Sequence, residues 1–243
     1  MPKTFAIGDI HGGLKALIQV LDRANIKPQD TLIFLGDYVD GWSESPQVLD
    51  FLIALAQTHN CIFMRGNHDD LLLQWLETSR DNKQWYNFGG LATVTAYQSV
   101  NAATKQKHIN FLKNLQDYHL DENARLFLHA GFTNQRGVTH EFFTKMFYWD
   151  RTLWETALAM DPKLPETSDY YPKRFRQYTE IFIGHTPTTY IGESNPQKRA
   201  NIWNIDTGAG FEGKLSILDV DTKAFWQSDP LYLLYHNENG RNQ

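Results

Sequence analysis

The chain has 243 residues, of which 42% are hydrophobic, 14% aromatic and 21% charged, and its formal net charge is -5. This length and composition suit one globular domain with a single large core, and no Pro/Gly/Ser-rich linker divides residues 1–243. The acidic balance argues against binding of duplex nucleic acid through a broad basic face, and no apolar run is long enough to predict a membrane span.

Strand and helix patterns alternate in the N-terminal part of the chain. Apolar runs predict strands at Thr4–Ile7, Thr31–Leu35 and Cys61–Met64, and Ser45 followed by Pro46 predicts the N-cap and first turn of a helix. This order favours parallel strands joined by helical crossovers. Helical faces are indicated by Leu14, Leu17, Ile18 and Leu21, by Val48, Phe51, Leu52 and Leu55, and by Leu72, Trp75 and Leu76.

The C-terminal part is richer in predicted strands. A helix is predicted over Lys105–Leu115, whereas residues 85–100 give no clear pattern. Residues 160–176 are polar and rich in Pro and Tyr, which favours a mobile lid, and residues 236–243 are predicted to form a flexible tail. Further strands are predicted at Arg125–Leu128, Glu180–Ile183, Asn201–Ile205 and Leu215–Val220.

Five short glycine-flanked segments carry the chemistry, and each follows an apolar run. Because ligands bind outside the carboxyl ends of strands in open α/β sheets, polar side chains just past these strands are expected to share one site. The segments are GDIHG at 8–12, GDYVDG at 36–41, GNHD at 66–69, LHAG at 128–131 and GHTP at 184–187.

The side chains of these segments have the chemistry of a metal site. Carboxylate, imidazole and amide oxygen ligands suit Mn, Fe or Zn, and Asp37 is the natural bridge between two divalent ions. Such a pair holds an attacking hydroxide and neutralises charge that builds up on phosphorus oxygens. The candidate ligands are Asp9, His11, Asp37, Asn67, His129 and His185.

The five segments together resemble the signature of the calcineurin-like metallophosphatases, specifically the branch that contains bacterial serine/threonine protein phosphatases. The match runs from Ile7 to His185 in the expected order, and NIDTGAG at 204–210 resembles the closing motif of that family. The resemblance implies a four-layer αββα sandwich, an α/β fold, with a central pair of sheets flanked by helices.

The resemblance also implies a role for each residue. It assigns Asp9, His11 and Asp37 to the first metal, and Asp37, Asn67, His129 and His185 to the second, with Mn as the expected ion. His68 becomes the proton donor to the leaving group, and Asp40 orients it. Arg151 and Asn67 are expected to bind the substrate phosphate.

One position departs from the family pattern. The family has an arginine after the second aspartate of GDxxDRG, whereas this chain continues with Gly41 and Trp42. Another cation takes over this role, with Lys173, Arg174 and Arg176 as candidates, or the substrate differs.

Three functions remain open from the sequence. The first is a metal-dependent phosphomonoesterase of the serine/threonine protein phosphatase type that uses metal-bound hydroxide for in-line attack on phosphorus. The second is a symmetrical dinucleoside tetraphosphate hydrolase, because the chain contains a pattern that resembles one of those enzymes, formed by Trp85, Gly89, Gly90, Thr93 or Thr95, and Tyr97. The third is a catalytically weak module that binds a phosphorylated ligand. The expected partner is a phosphoprotein or a small phosphorylated molecule, and the oligomeric state is undetermined.

The remaining residues have plainer interpretations. Cys61 is predicted to be a buried strand residue, since one cysteine forms no internal disulfide. Without a signal-peptide pattern, the cytoplasm is the expected compartment. The histidines outside the motifs, predicted to lie at the surface, are His59, His108, His119, His140 and His236.

Overall fold

A computed structural model describes residues 2–242, so the two terminal residues of the predicted 1–243 domain, including the last residue of the predicted tail, lie outside it. The strands are β1 Thr4–Ile7, β2 Thr31–Phe34, β3 Asn60–Phe63, β4 Tyr118–Leu120, β5 Arg125–Leu128, β6 Glu180–Ile183, β7 Gln197–Arg199, β8 Ile202–Asn204, β9 Ser216–Asp219 and β10 Phe225–Gln227. They form two five-stranded sheets, with strand orders β10-β9-β1-β2-β3 and β4-β5-β6-β8-β7.

Both sheets are mixed and have a parallel centre. In the first sheet β1, β2 and β3 pair in parallel, as the alternating pattern predicts, and β9 pairs antiparallel with β1. In the second sheet β5, β6 and β8 are parallel, and β4 and β7 add antiparallel edges. The carboxyl ends of the parallel strands therefore collect at one edge of each sheet.

Helices cover the outer face of each sheet. Alternate residues of β1 show the layering, because Phe5 and Ile7 pack toward the helices whereas Ala6 faces the other sheet. Phe127 and Phe182 stack in the layer between the sheets, with ring centroids 4.8 Å apart. The helices are α1 Leu14–Ala24, α2 Ser45–Leu55, α3 Asn67–Thr78, α4 Lys83–Trp85, α5 Leu91–Ala96, α6 Ala102–Lys113, α7 Met146–Trp149, α8 Thr152–Ala159 and α9 Leu231–Leu234.

This arrangement confirms the α/β class and the αββα sandwich. The strands read as nearly continuous apolar runs because sheets buried on both faces leave few positions for polar side chains. The short edge strands β4, β7 and β10 give no such run and are absent from the sequence prediction. No helix within residues 2–242 has the length and apolar character that crossing a bilayer requires.

Two local predictions are wrong. Ser45 is the first residue of α2 and not its N-cap, because its hydroxyl accepts a hydrogen bond from the Asp40 N–H at 3.0 Å instead of capping the helix. His108 is buried and not at the surface, because its Nδ1 atom pairs with the Tyr97 hydroxyl at 2.7 Å inside the helical layer.

The two segments predicted to be mobile make specific contacts. In the segment 160–176, Tyr171 and Phe175 pack into the second core, and its function as a lid stays a prediction. In the described part of the 236–243 tail, the Glu238 carboxylate accepts hydrogen bonds from Ser43, and Arg241 N donates to Gly210 O at 2.8 Å. The anchors of the tail lie far away in sequence, so its polar composition alone does not reveal them.

Candidate metal centre

All six candidate ligands are buried and lie together where the strand ends of the two sheets meet. The loops after β1 and β2 carry Asp9, His11 and Asp37, while His129 and His185 follow β5 and β6 of the other sheet. Asn67 begins α3, just after β3. Each sheet therefore contributes part of the cluster, as the motif order predicts.

Asp37 lies between the two halves of the cluster. Its Oδ2 atom is 3.6 Å from His11 Nε2 and 3.4 Å from His129 Nε2. On the His11 side, Asp9 Oδ2 lies 3.7 Å from the same Nε2 atom. One carboxylate that faces a histidine on each side has the placement that bridging of two ions requires.

The half of the cluster around His129 brings together several atoms that can serve as metal ligands. His129 Nδ1 donates to Leu35 O at 2.8 Å, so Nε2 is the atom that can present a lone pair to a metal ion once its proton is displaced. This Nε2 atom is 3.2 Å from Asn67 Oδ1 and 3.2 Å from His185 Nδ1. The His185 Nε2 atom is itself buried without a partner. Converging lone pairs of this kind fit a cation.

The pKa values of the cluster also indicate that its carboxylates need compensating positive charge. Burial, followed by the neighbouring Asp206 carboxylate, raises the pKa of Asp9 well above its usual value. Burial would lower the pKa of His129, but the carboxylates of Asp37 and Asp9 raise it to about 9. In the absence of a metal, protons thus compensate the carboxylates, and a bound divalent ion would replace them.

Four residues of the site have left-handed backbone conformations that non-glycine residues rarely adopt. The strain costs about 1–3 kcal/mol for each residue and concentrates at functional sites. Hydrogen bonds between the loops hold these conformations, since Ile10 N and His11 N both donate to Asp37 O, at 3.0 and 2.9 Å. The four φ angles are 51° for His11, 54° for Asp37, 74° for Asp40 and 70° for His185.

His68 lies at the first turn of α3 and pairs with Asp40, as the family resemblance implies. The distance between His68 Nδ1 and Asp40 Oδ2 is 2.6 Å. The Trp85 indole donates to the same oxygen at 2.5 Å, and Thr93 Oγ1 accepts from Asp40 N. Asp40 is therefore fixed from two sides.

Two further carboxylates at the site have no role in the sequence prediction. Asp69 accepts backbone hydrogen bonds from Asp37, Tyr38 and Gly66 at 2.8–2.9 Å and thereby holds the loop that carries Asp37. Burial raises the pKa of Asp69 to about 7. Asp206 is buried beside Asp9. Asp69 belongs to the motif GNHD and Asp206 to the motif NIDTGAG, so these motifs could have identified both residues as part of the site.

A cavity of about 330 Å³ opens beside the candidate metal ligands. Arg151 is exposed, and its Nη1 donates to Thr186 Oγ1 at 3.3 Å. The cations suggested to replace the missing arginine after Asp40 do not lie there, and Arg174 instead donates to Phe132 O and Thr152 O at 2.6 and 2.7 Å. The lining residues are Asn67, His68, Leu71, Asn82, Gln84, Trp85, Phe88, Trp149, Arg151 and Arg241.

Two groups of three side chains have ligand atoms within 4.8 Å of one another. The first is His11, Asp37 and His68, and the second is Asp37, His129 and His185. Asp37 belongs to both, as expected of a bridge. His68 is close enough to be a ligand, but its pairing with Asp40 favours an oriented proton donor. The donor set of carboxylate, imidazole and amide fits Mn, Fe or Zn.

Comparisons with known proteins agree with this geometry. The sequence profile described as "Calcineurin-like phosphoesterase" matches residues 2–211. A similar protein from Anoxybacillus flavithermus, named bis(5'-nucleosyl)-tetraphosphatase PrpE (asymmetrical), is 27% identical over 87% of this chain and 88% of its own length. A bis(5'-nucleosyl)-tetraphosphatase, symmetrical, from Marinomonas sp. is 31% identical over 90% of this chain and 71% of its own length.

Solved structures share the fold. A protein serine/threonine phosphatase from Saccharomyces cerevisiae superposes with a TM-score of 0.57 over 94% of this chain and 80% of its own, at 15% identity. At 15% identity this similarity supports the shared fold and gives no information about the substrate.

Proposed function

Because the chain belongs to the calcineurin-like phosphoesterase family, whose members use a dinuclear divalent metal centre, we propose that it hydrolyses dinucleoside tetraphosphates. Family membership identifies the chain as a metal-dependent phosphoesterase, and the substrate is the part that we propose. The sequence favoured a serine/threonine protein phosphatase first and this activity second. We reverse that order, because the sequence relatives that span most of the chain are named as tetraphosphatases.

The observation that carries the proposal is the cavity beside His68. It combines two arginines, Arg151 and Arg241, with the aromatic rings of Phe88 and Trp149, which are 50% and 43% exposed. Guanidinium groups bind phosphate oxygens through paired hydrogen bonds, and exposed aromatic rings stack on nucleobases at about 1–3 kcal/mol per base. Such a lining suits a nucleotide better than a phosphoserine side chain.

The six buried ligands would hold two divalent ions, with Asp37 shared between them. When bound, these ions supply an activated water at neutral pH and positive charge against the phosphoryl oxygens. The residues of the chain perform the other tasks. Arg151 orients the phosphate, and Asp69 keeps the Asp37 loop in place through its backbone hydrogen bonds.

Proton transfer to the leaving group is assigned to His68. Its Nδ1 atom is occupied by Asp40, so the opposite ring nitrogen, Nε2, is the one free to face the cavity. The Nε2 atom of His68 donates a proton to the departing phosphate oxygen, while Asp40 orients the ring from the Nδ1 side. Trp85 fixes the Asp40 carboxylate and therefore the orientation of the ring.

The test compares three substrates with the purified chain in the presence of Mn²⁺. Diadenosine tetraphosphate should be hydrolysed with a higher kcat/KM than a phosphoserine peptide or p-nitrophenyl phosphate. The nucleotide products report the bond that is cleaved, since two ADP indicate symmetrical cleavage and ATP with AMP indicates asymmetrical cleavage. Asp37→Asn should abolish turnover, whereas Asp22→Asn on the exposed face of α1 should leave it intact.

Other outcomes would contradict the proposal. Turnover confined to the phosphopeptide would restore the protein phosphatase assignment. Binding of diadenosine tetraphosphate without release of product in a single-turnover experiment would identify a binding module.

A further inference from the structure

The C-terminal segment brings an arginine into the candidate site. This arginine lies beside Gly41, the position at which the family signature has an arginine and this chain does not. We propose that Arg241 is the second phosphate-binding cation of the site, acting together with Arg151. This inference rests on the proposed function, because it concerns the same cavity. It assigns substrate binding to a residue outside all five sequence motifs.

The backbone of the tail is fixed next to the cavity. Arg241 N donates to Gly210 O at 2.8 Å, and a Cβ atom at the buried Gly240 would lie 2.8 Å from the Trp42 ring. The Ser43 contact with Glu238 adds a second anchor a few residues earlier. The backbone of residue 241 therefore has a defined place in the fold, next to the cavity that its side chain lines.

The stem of the Arg241 side chain occupies the space above Gly41. A Cβ atom added at Gly41 would lie 3.0 Å from Arg241 Cγ, and one added at Gly89 would also lie 3.0 Å from it. A side chain at position 41 would therefore compete with Arg241 for this volume. The glycine that replaces the arginine of the signature makes room for an arginine that comes from the other end of the chain.

The guanidinium group reaches the edge of the candidate metal centre. Arg241 Nη1 lies 3.4 Å from His11 Nε2, and Nε donates to Phe88 O at 3.2 Å. The group lies 5.0 Å from the centre of the Phe211 ring, and within residues 2–242 it forms no ion pair with a carboxylate. The remaining N–H groups of the guanidinium lie beside a candidate metal ligand and are available to an anion.

The chemistry of the ligand explains why two guanidinium groups belong here. A tetraphosphate bridge carries several negative charges on adjacent phosphoryl groups, of which the metal pair neutralises only those it contacts. Arg151 and Arg241 line the same cavity from different segments and can bind oxygens of the same phosphate or of neighbouring ones.

The main experiment measures binding of inorganic phosphate to the Mn²⁺-loaded protein by titration calorimetry. The variant R241M retains an apolar stem against Gly41 and Gly89 but loses the charge. Loss of a charged hydrogen bond predicts that phosphate binding weakens by about tenfold or more. The exposed arginine variant R136A serves as the matched control and should bind phosphate like the unmodified chain.

A second readout separates a binding role from an anchoring role. The KM for diadenosine tetraphosphate should rise by about tenfold in R241M with a smaller change in kcat, while Tm and metal content stay unchanged.

Two results would overturn the inference. One is phosphate affinity in R241M equal to that of the unmodified chain, and the other is higher activity in R241M, which would identify the tail as an obstruction. The calorimetry uses inorganic phosphate, so it remains decisive even when the chain fails to hydrolyse the dinucleotide.

Discussion

At the scale of single residues, the site combines side chains that the sequence identifies with others that it hides. Asp9 and His129 are identifiable because a buried strand ends just before each of them, and physical chemistry makes strand ends converge. Trp85 and Arg241 are hidden, because their partners Asp40 and His11 lie in other motifs. A local pattern reports the neighbours of a residue along the chain, whereas these contacts depend on the finished fold.

The Asp40–His68 pair leads to a prediction about leaving groups. His68→Asn should reduce kcat by up to about 10²–10⁴-fold for phenyl phosphate, whose leaving group is the more basic of the two and departs more readily with a proton. The loss should be smaller for p-nitrophenyl phosphate, whose leaving group departs without one. Steady-state rates on both esters test this. Equal losses on both esters, together with a reduced metal content, would instead mean that His68 is a metal ligand.

At the scale of elements, the central strands and long helices follow from the sequence, and the connecting layer over residues 85–100 does not. Strands β1, β2, β5 and β6 each contain an apolar run that precedes one of the motifs, and their observed bounds agree with the predicted ones to within a residue. The layer that includes α4 and α5 is broken at Gly89, where φ is 102°. Its side chains form hydrogen bonds with α6 and with the loop that carries Asp40. The spacing of apolar residues within the segment does not reveal such distant partners.

The burial of His108 on α6 predicts a dependence of stability on pH. Burial lowers the pKa of His108 below its usual value, although Asp50 opposes this shift. As the pH falls through about 6.5, the unfolded chain therefore takes up a proton that the folded chain still refuses, and the free energy of unfolding decreases. His108→Gln removes this contribution, so the variant should lose less stability than the unmodified chain between about pH 7.5 and about pH 5.5.

Urea unfolding at both pH values measures this difference. His236→Gln, a change at an exposed histidine, is the control and should follow the unmodified chain. Parallel losses in His108→Gln and the unmodified chain would show that His108 titrates normally.

At the scale of the whole molecule, the candidate centre sits where the two sheets dock. Asp9 and Asp37 come from the first sheet, while His129 and His185 come from the second. Cations bound between them act on the stability of the entire sandwich. The family resemblance predicted that two sheets pack together in a sandwich. The angle and the contacts between the sheets depend on packing that no single segment encodes.

Metal binding should therefore raise the melting temperature of the protein. An ion at about 100 times its Kd stabilises the folded state by about 2.7 kcal/mol, which corresponds to about 5–10 °C for a chain of this size. Scanning calorimetry with EDTA and with excess Mn²⁺ measures the shift. Asp37→Asn should lose most of this shift in Tm, whereas the control Asp22→Asn should retain it. If Mn²⁺ leaves the Tm of the unmodified chain unchanged, a metal centre at this place is excluded.

The pairing of β1 with β9 has a consequence for biosynthesis. Ile7 lies opposite Ile217, so β1 pairs with a strand that is synthesised only after all the strands of the other sheet. The nascent chain cannot finish its first layer and then add the second. Cutting the gene between β3 and β4 should consequently yield an insoluble N-terminal fragment, since its sheet would lack β9 and β10.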